Sequence, residues 1–252
     1  MLIDLSRPIN EATPVYPGDP LFTRVIEADY ACDGYRLTSV TFGTHLGTHL
    51  DAPRHFFSDG ESFGDLPLET FDTEAVLCDL APALAEQETG AAAAKITPEL
   101  LAPFADVLQN VPAVILRTGW GERWGHSDYF TSFPSILPET ADWLADFPIR
   151  ILGLDTPSRS AYGNALFGTG SAAWGDPLCE ALLHSDAESH RILLGRRPPI
   201  LPLENLAALQ KLPAGEPFRL FCFPLPVDDI DGFPVRACAK LTEAALPFRV
   251  VE

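Results

Sequence analysis

The chain is short of positive charge: 17 lysines and arginines stand against 35 aspartates and glutamates, a formal net charge of −18 over 252 residues. Such a surface repels nucleic acid and anionic membranes, so neither is expected as a partner, and a small molecule is. Long apolar runs are missing too, and the opening MLIDLSRPIN lacks a basic segment followed by an apolar one. Neither a membrane span nor a standard secretory signal is therefore expected. Cysteines are few and scattered, at positions 32, 78, 179, 222 and 238, with no CxxC pair. That pattern argues against a disulfide framework and a thiolate zinc site, and makes a reduced cytoplasm the expected setting. No stretch reads as a linker or an internal repeat, and GNALFGTG at 163–170 is not a phosphate loop, because no GK[ST] follows and no strand leads into it.

Histidine is also scarce, six in all, yet three of them fall in TFGTHLGTHLDAPRHFFSD, Thr41 to Asp59. His45, His49, Asp51 and His55 lie within eleven residues, and each side chain offers a lone pair to a divalent cation. Gly43, Gly47 and Pro53 break regular structure, so a turn or loop aiming several side chains at one point is the expected backbone. A helix carrying His45 and His49 on one face is the competing reading, and the glycine and proline oppose it. Imidazole together with carboxylate is the donor set of zinc and manganese sites.

Along the chain, strand patterns alternate with helix patterns. Leu2–Leu5 alternates; Thr23–Ala28 and Tyr35–Phe42 read as a hairpin around Cys32-Asp33-Gly34; Glu74–Leu80, Val111–Thr118, Arg150–Asp155 and Glu216–Phe223 read as strands. Helices are expected from Pro98 to about Leu108 after a Thr97 cap, over Leu137–Phe147, and over Pro177–His184. The class is mixed α/β with a buried sheet, long enough for a real core and read as one domain over 1–252. The loop Gly119–Phe133 is rich in aromatics: Trp120, Trp124, Tyr129 and Phe130, with His126 among them, form either a pocket wall for a planar substrate or a cover for the sheet edge. Tyr16, just before the Gly18-Asp19 turn, reads as a surface turn aromatic.

The histidine stretch resembles the signature HxGTHxDxPxHF of the metal-dependent cyclase family, which includes bacterial kynurenine formamidase (arylformamidase), isatin hydrolase and polyketide cyclases. His45, Gly47, Thr48, His49, Asp51, Pro53, His55 and Phe56 all match. PVYPGD at 14–19 is similar to the family's PVWPGD, with Tyr16 replacing tryptophan; RTGW at 117–120 and DTPS at 155–158 also match, as do Asp231, Gly232, Pro234, Val235 and Arg236 of the closing segment. The stretch 159–184 departs from the pattern and reads as an insertion, which makes His184 a rival to His190; the context HRILLG favours His190, and ENL favours Glu204. The resemblance implies a cyclase-like fold with a β-barrel-like sheet core and surrounding helices, assembled as a homodimer or homotetramer. It implies that His45 and His49 bind one cation and His190 a second, with Asp51 and Glu204 bridging, the metal being one or two ions of zinc or manganese. His55 would act as acid and base or else as a ligand, Asp155 would orient its neighbours, and Tyr16 and Trp120 would contact substrate. The implied activity is hydrolysis of an amide-type C–N bond in a small aromatic substrate, N-formylkynurenine first; ring opening of a cyclic amide or polyketide cyclisation is the alternative. A metal-binding accessory protein without catalysis is the reading from a different class, and the intact His55 opposes it.

Overall fold

A computed structural model of the chain describes residues 1–87, 93–131, 133–158 and 187–241. Its strands are β1 (Leu2–Asp4), β2 (Thr23–Ala28), β3 (Leu37–Thr41), β4 (His49–Asp51), β5 (Asp72–Asp79), β6 (Lys95–Ile96), β7 (Ala113–Arg117), β8 (Ser135–Ile136), β9 (Ile151–Leu154), β10 (Leu201–Glu204), β11 (Pro217–Phe221), β12 (Gly232–Pro234) and β13 (Cys238–Lys240). Nine form one sheet, in the order β1-β13-β11-β5-β7-β9-β10-β4-β12, strongly curled into a half-barrel. The central β5, β7, β9 and β10 run parallel, and antiparallel strands complete both sides. The mixed α/β architecture with a barrel-like sheet is thus the one the sequence implies.

Alternation along the parallel strands explains how one sheet supports two cores. Ala75, Leu77, Ala113, Ile115 and Ile151 join the cluster inside the curl, with Leu50, Leu203 and Phe218. Their neighbours Val76, Cys78, Val114, Leu116, Leu152 and Leu154 belong to the opposite cluster. Helices α1 (Tyr30–Asp33), α2 (Ala81–Gln87), α3 (Pro98–Leu101), α4 (Ala105–Leu108), α5 (Pro138–Leu144) and α6 (Glu188–Leu194) are all short. Leu84, Leu101, Leu108, Leu144 and Leu193 from five of them cover that second face. No helix among the described residues is long and apolar enough to cross a membrane.

Two expectations need correction. The helix expected over Pro98–Leu108 is broken into α3, a 3-10 turn at Ala102–Phe104, and α4. Pro103 lacks an N–H and its ring crowds the preceding turn, so a continuous α-helix cannot pass through it. Thr97 occupies the N-cap position of α3, but its side chain makes no capping hydrogen bond. The 23–42 hairpin does form, but as a separate two-stranded sheet whose residues are nearly all exposed. Its connection is the single turn α1, capped by the Asp29 side chain and closed by Gly34 at φ +76°. The helix expected over 177–184 and the rival ligand His184 lie outside the described residues.

Leu50 is fully buried between two buried polar residues on the opposite face of β4 and anchors that strand to the inner core. Leu50→Ala should lower the unfolding free energy by about 2–5 kcal/mol, as other large-to-small core changes do; urea titration measures it.

Candidate active site

The 41–59 stretch is a loop only in part. Thr44–Thr48 is irregular and Gly47 takes φ +61°, but His49–Asp51 is strand β4, held between β10 and β12. A strand alternates its side chains, so His49 and Asp51 share one face while Leu50 points into the core. Glu204 of β10 pairs directly with His49, and Gly232 of β12 pairs with Asp51. Directly paired residues share a face, so the register itself carries Glu204 to His49. One residue of slip would send all three polar groups into the apolar core.

The environment of His49 is that of a metal ligand. Its Nδ1 lies 2.9 Å from the Gly47 carbonyl oxygen, which only accepts, so the proton sits on Nδ1 and the Nε2 lone pair points the other way. There Nε2 meets Asp51 Oδ1 at 3.4 Å and Glu204 Oε2 at 3.6 Å, and it is buried without a hydrogen bond. His49, Asp51 and Glu204 are 2%, 1% and 3% exposed. Two carboxylates and an imidazole lone pair converging out of water repel one another unless a cation lies among them. The residues therefore fit a divalent ion of the kind imidazole and carboxylate hold. His190 of α6 stands alongside, with Nε2 3.7 Å from Glu204 Oε1, 3.5 Å from the Ser158 hydroxyl, and its ring stacked on Phe56.

A second group shares Asp51 with the first. Ligand atoms of His45, Asp51 and His55 lie within 4.8 Å of one another, as do those of His49, Asp51 and Glu204. His45 Nδ1 and His49 Nε2 approach the same Asp51 oxygen, at 2.9 and 3.4 Å. The left-handed turn at Gly47 separates them, and their rings stand perpendicular, 5.0 Å apart. His45 places Nδ1 2.9 Å from Asp51 Oδ1 and Nε2 3.1 Å from Asp231 Oδ2. Burial opposes a charge on His45, but the two carboxylates outweigh it and push its pKa up to about 10. His55, in the 3-10 turn Pro53–His55, lies at the rim with Nδ1 3.5 Å from Asp231 Oδ2. Asp231 is the site residue that the sequence reading matched to a motif without assigning a task; nothing nearby in sequence connects it to residues 186 positions away. Hydrogen bonds from His45 and His55 hold its carboxyl far below the usual carboxylate range, against the opposing effect of burial.

Buried hydrogen bonds fix the loop that carries these groups. Thr48 donates to the Asn205 carbonyl and accepts from the Arg7 N–H, both at 2.9 Å. Asn205, at φ +58°, donates to the Gly47 carbonyl at 2.9 Å and accepts from the Tyr129 hydroxyl at 2.8 Å. Asp155 orients its neighbours, accepting from the Thr118 N–H and hydroxyl and from the Gly119 and Gly121 N–H groups. Trp120 is turned inward, donates its indole N–H to the Tyr129 carbonyl at 2.9 Å, and packs with Tyr129 and Phe133. Among the described residues no contact joins it to the histidines. Tyr16 meets Phe130 edge to face, with ring centroids 5.6 Å apart. The turn after it brings Asp19 near the histidine cluster; burial raises the Asp19 pKa and the nearby His45 opposes the rise. Clefts elsewhere, of about 550 Å³ around Arg150, Arg196 and Arg197 and about 260 Å³ around Arg7, Arg117 and Asp155, include none of the histidines.

Half-barrel, signature stretch and paired ligand groups define a class that comparison with known proteins supplies. A family model described as "Putative cyclase" matches residues 3–160, and the chain belongs to this Cyclase family. Among solved structures it is similar to isatin hydrolase A from Labrenzia aggregata bound to benzyl benzoate: 25% identical, covering 96% of this chain and 94% of that one, with a TM-score of 0.76. Isatin hydrolase A from Ralstonia solanacearum, at 21% identity, 95% and 91% coverage and a TM-score of 0.74, shares the fold. So does a protein described as a predicted metal-dependent hydrolase from Bacillus stearothermophilus, at 21% identity, 95% and 97% coverage and a TM-score of 0.67.

Two measurements test the site. Adding zinc or manganese to metal-stripped protein should raise its stability, by about 2.7 kcal/mol at a free concentration 100 times the Kd, and His49→Ala should abolish the gain; thermal melts with and without metal report it. In metal-free protein the folded-state pKa of His45 is raised from 6.5 to about 10. Its contribution to stability is therefore full below pH 6.5 and lost as the pH climbs through about 10. His45→Gln should flatten that part of the stability profile, read by denaturant titration at several pH values.

Proposed function

We propose that the chain is a metal-dependent hydrolase of an amide-type C–N bond in a small aromatic substrate, arylformamidase-like, with N-formylkynurenine as the first substrate and zinc or manganese as the metal. The observation that carries this reading is the convergence of His49, Asp51 and Glu204 in a buried space, with His55 at its rim. His45 and His190 complete the proposed ligand set. Lewis acidity at such a site brings the pKa of water toward neutrality and polarises a carbonyl oxygen. His55 then accepts the proton of the attacking water as the new C–O bond forms, and returns it to the nitrogen as the C–N bond breaks. Imidazole suits both transfers near neutral pH. Tyr16, beside Phe130 and ahead of Asp19, is the proposed contact for the aromatic part of the substrate. Trp120 supports the same wall from behind through Tyr129.

A second reading, ring opening of a cyclic amide such as isatin, is favoured by the likeness to isatin hydrolase A at 25% identity over 96% of the chain. The chain is also proposed to work as a homodimer or homotetramer. Val25, Ile26, Tyr30, Tyr35, Leu37 and Val40 of the hairpin region are each at least half exposed, which supports that assembly. A single monomeric species in sedimentation velocity would contradict it.

Metal-loaded protein should turn over N-formylkynurenine, or isatin under the second reading. His55→Ala should lower kcat by roughly 10²–10⁴-fold while the metal stays bound. Loss of metal from this variant would make His55 a ligand, and no turnover of either substrate by metal-bound protein would favour a binding role without catalysis.

A further inference from the structure

Asp231 reaches the site from the far end of the chain, and three other groups converge on its carboxylate. Its Oδ1 accepts from the Thr44 hydroxyl at 2.9 Å. Its Oδ2 lies between His45 Nε2 at 3.1 Å and His55 Nδ1 at 3.5 Å. Thr44 and His45 come from the loop before β4, and His55 from the turn after it. The backbone of Asp231 is pinned as well: its carbonyl accepts from the Ala52 N–H at 2.8 Å, and the next residue, Gly232, pairs with Asp51. At Gly232 a Cβ would stand 2.7 Å from the His45 ring, so glycine is what lets the ring lie against this strand. The sheet thus sets the carboxylate in place independently of the histidines.

An exposed ion pair adds little to stability, and the Asp231 side chain is 41% exposed. Holding the fold together is therefore a poor account of it. A carboxylate facing one nitrogen of an imidazole does something else: it keeps the proton on that nitrogen and leaves the opposite one as the acceptor. We infer that Asp231 is a positioning residue, which holds His55 with its proton on Nδ1 so that Nε2 is free to take a proton from water. This rests on the proposed role of His55. The same carboxylate steadies His45, so one side chain orients an imidazole in each of two neighbouring segments.

The test combines Asp231→Asn and His55→Ala singly and together, in zinc-loaded protein, with metal content and kcat measured on whichever of N-formylkynurenine and isatin is turned over. Asp231→Asn should lower kcat by about 10- to 100-fold with KM within about twofold and metal content unchanged. In the His55→Ala background the same change should cost less than about twofold, because the group it acts through is gone. Two-bond ¹⁵N–¹H spectra at pH 8, which need no substrate, should show His55 protonated on Nδ1 in the unaltered protein and shifted toward Nε2 in Asp231→Asn. Equal losses in both backgrounds, wild-type kcat in Asp231→Asn, loss of metal from it, or an unmoved tautomer would each overturn the inference. If His55→Ala alone keeps full turnover, the proposed role of His55 fails and this inference with it. If His55→Ala is impaired but Asp231→Asn is not, only the inference fails.

Discussion

Two carboxylates and an imidazole lone pair are forced together inside this sheet, and the rest of the structure makes that conjunction tolerable. Asp51 and Glu204 are almost wholly withdrawn from water, and the unprotonated nitrogen of His49 faces both. Outside a protein such groups would hydrate separately, because removing a charge from water without a partner costs several kcal/mol. Here they cannot move apart, since His49 and Asp51 are alternate residues of one strand and Glu204 is the direct partner of His49 on the next. Leu50 and Leu203 point the opposite way into the core, so burial of the apolar side holds the polar side together.

Asp51 belongs to both ligand groups, which couples the buried half of the site to its open half. On the buried side, His49, Glu204 and His190 lie against the core; on the open side, His45, His55 and Asp231 sit at the rim. The Gly47 turn lies between His45 on the open side and His49 on the buried side. The Asn205 amide and the His49 ring both bond the Gly47 carbonyl, so the turn and the tautomer of His49 are set by the same atom.

Much of this was legible in the sequence because it is local. Strands of continuous or alternating apolar character formed at β5, β7, β9 and β11 close to their expected positions, since their burial follows from the pattern itself. The cluster of His45, His49, Asp51 and His55 stood out because four metal-binding side chains in eleven residues are uncommon in a chain with six histidines. What misled was equally local: Gly43, Gly47 and Pro53 suggested a loop throughout, although three residues between them pair on both sides as a strand. Pro103 broke a helix that Thr97 and Pro98 otherwise announced. Trp120, in a loop that read as either a pocket wall or a cover for the sheet edge, gives its indole N–H to an internal acceptor, which periodicity cannot show.

From its amino acids alone this protein had a mixed α/β class, a buried sheet and a candidate metal-binding stretch, because alternation and the spacing of donors are properties of neighbouring residues. The partnership of His49 with Glu204 and the arrival of Asp231 beside His55 were decided by the tertiary structure. Each depends on strand register across gaps of more than 150 residues, and register is fixed by which faces pack together in three dimensions.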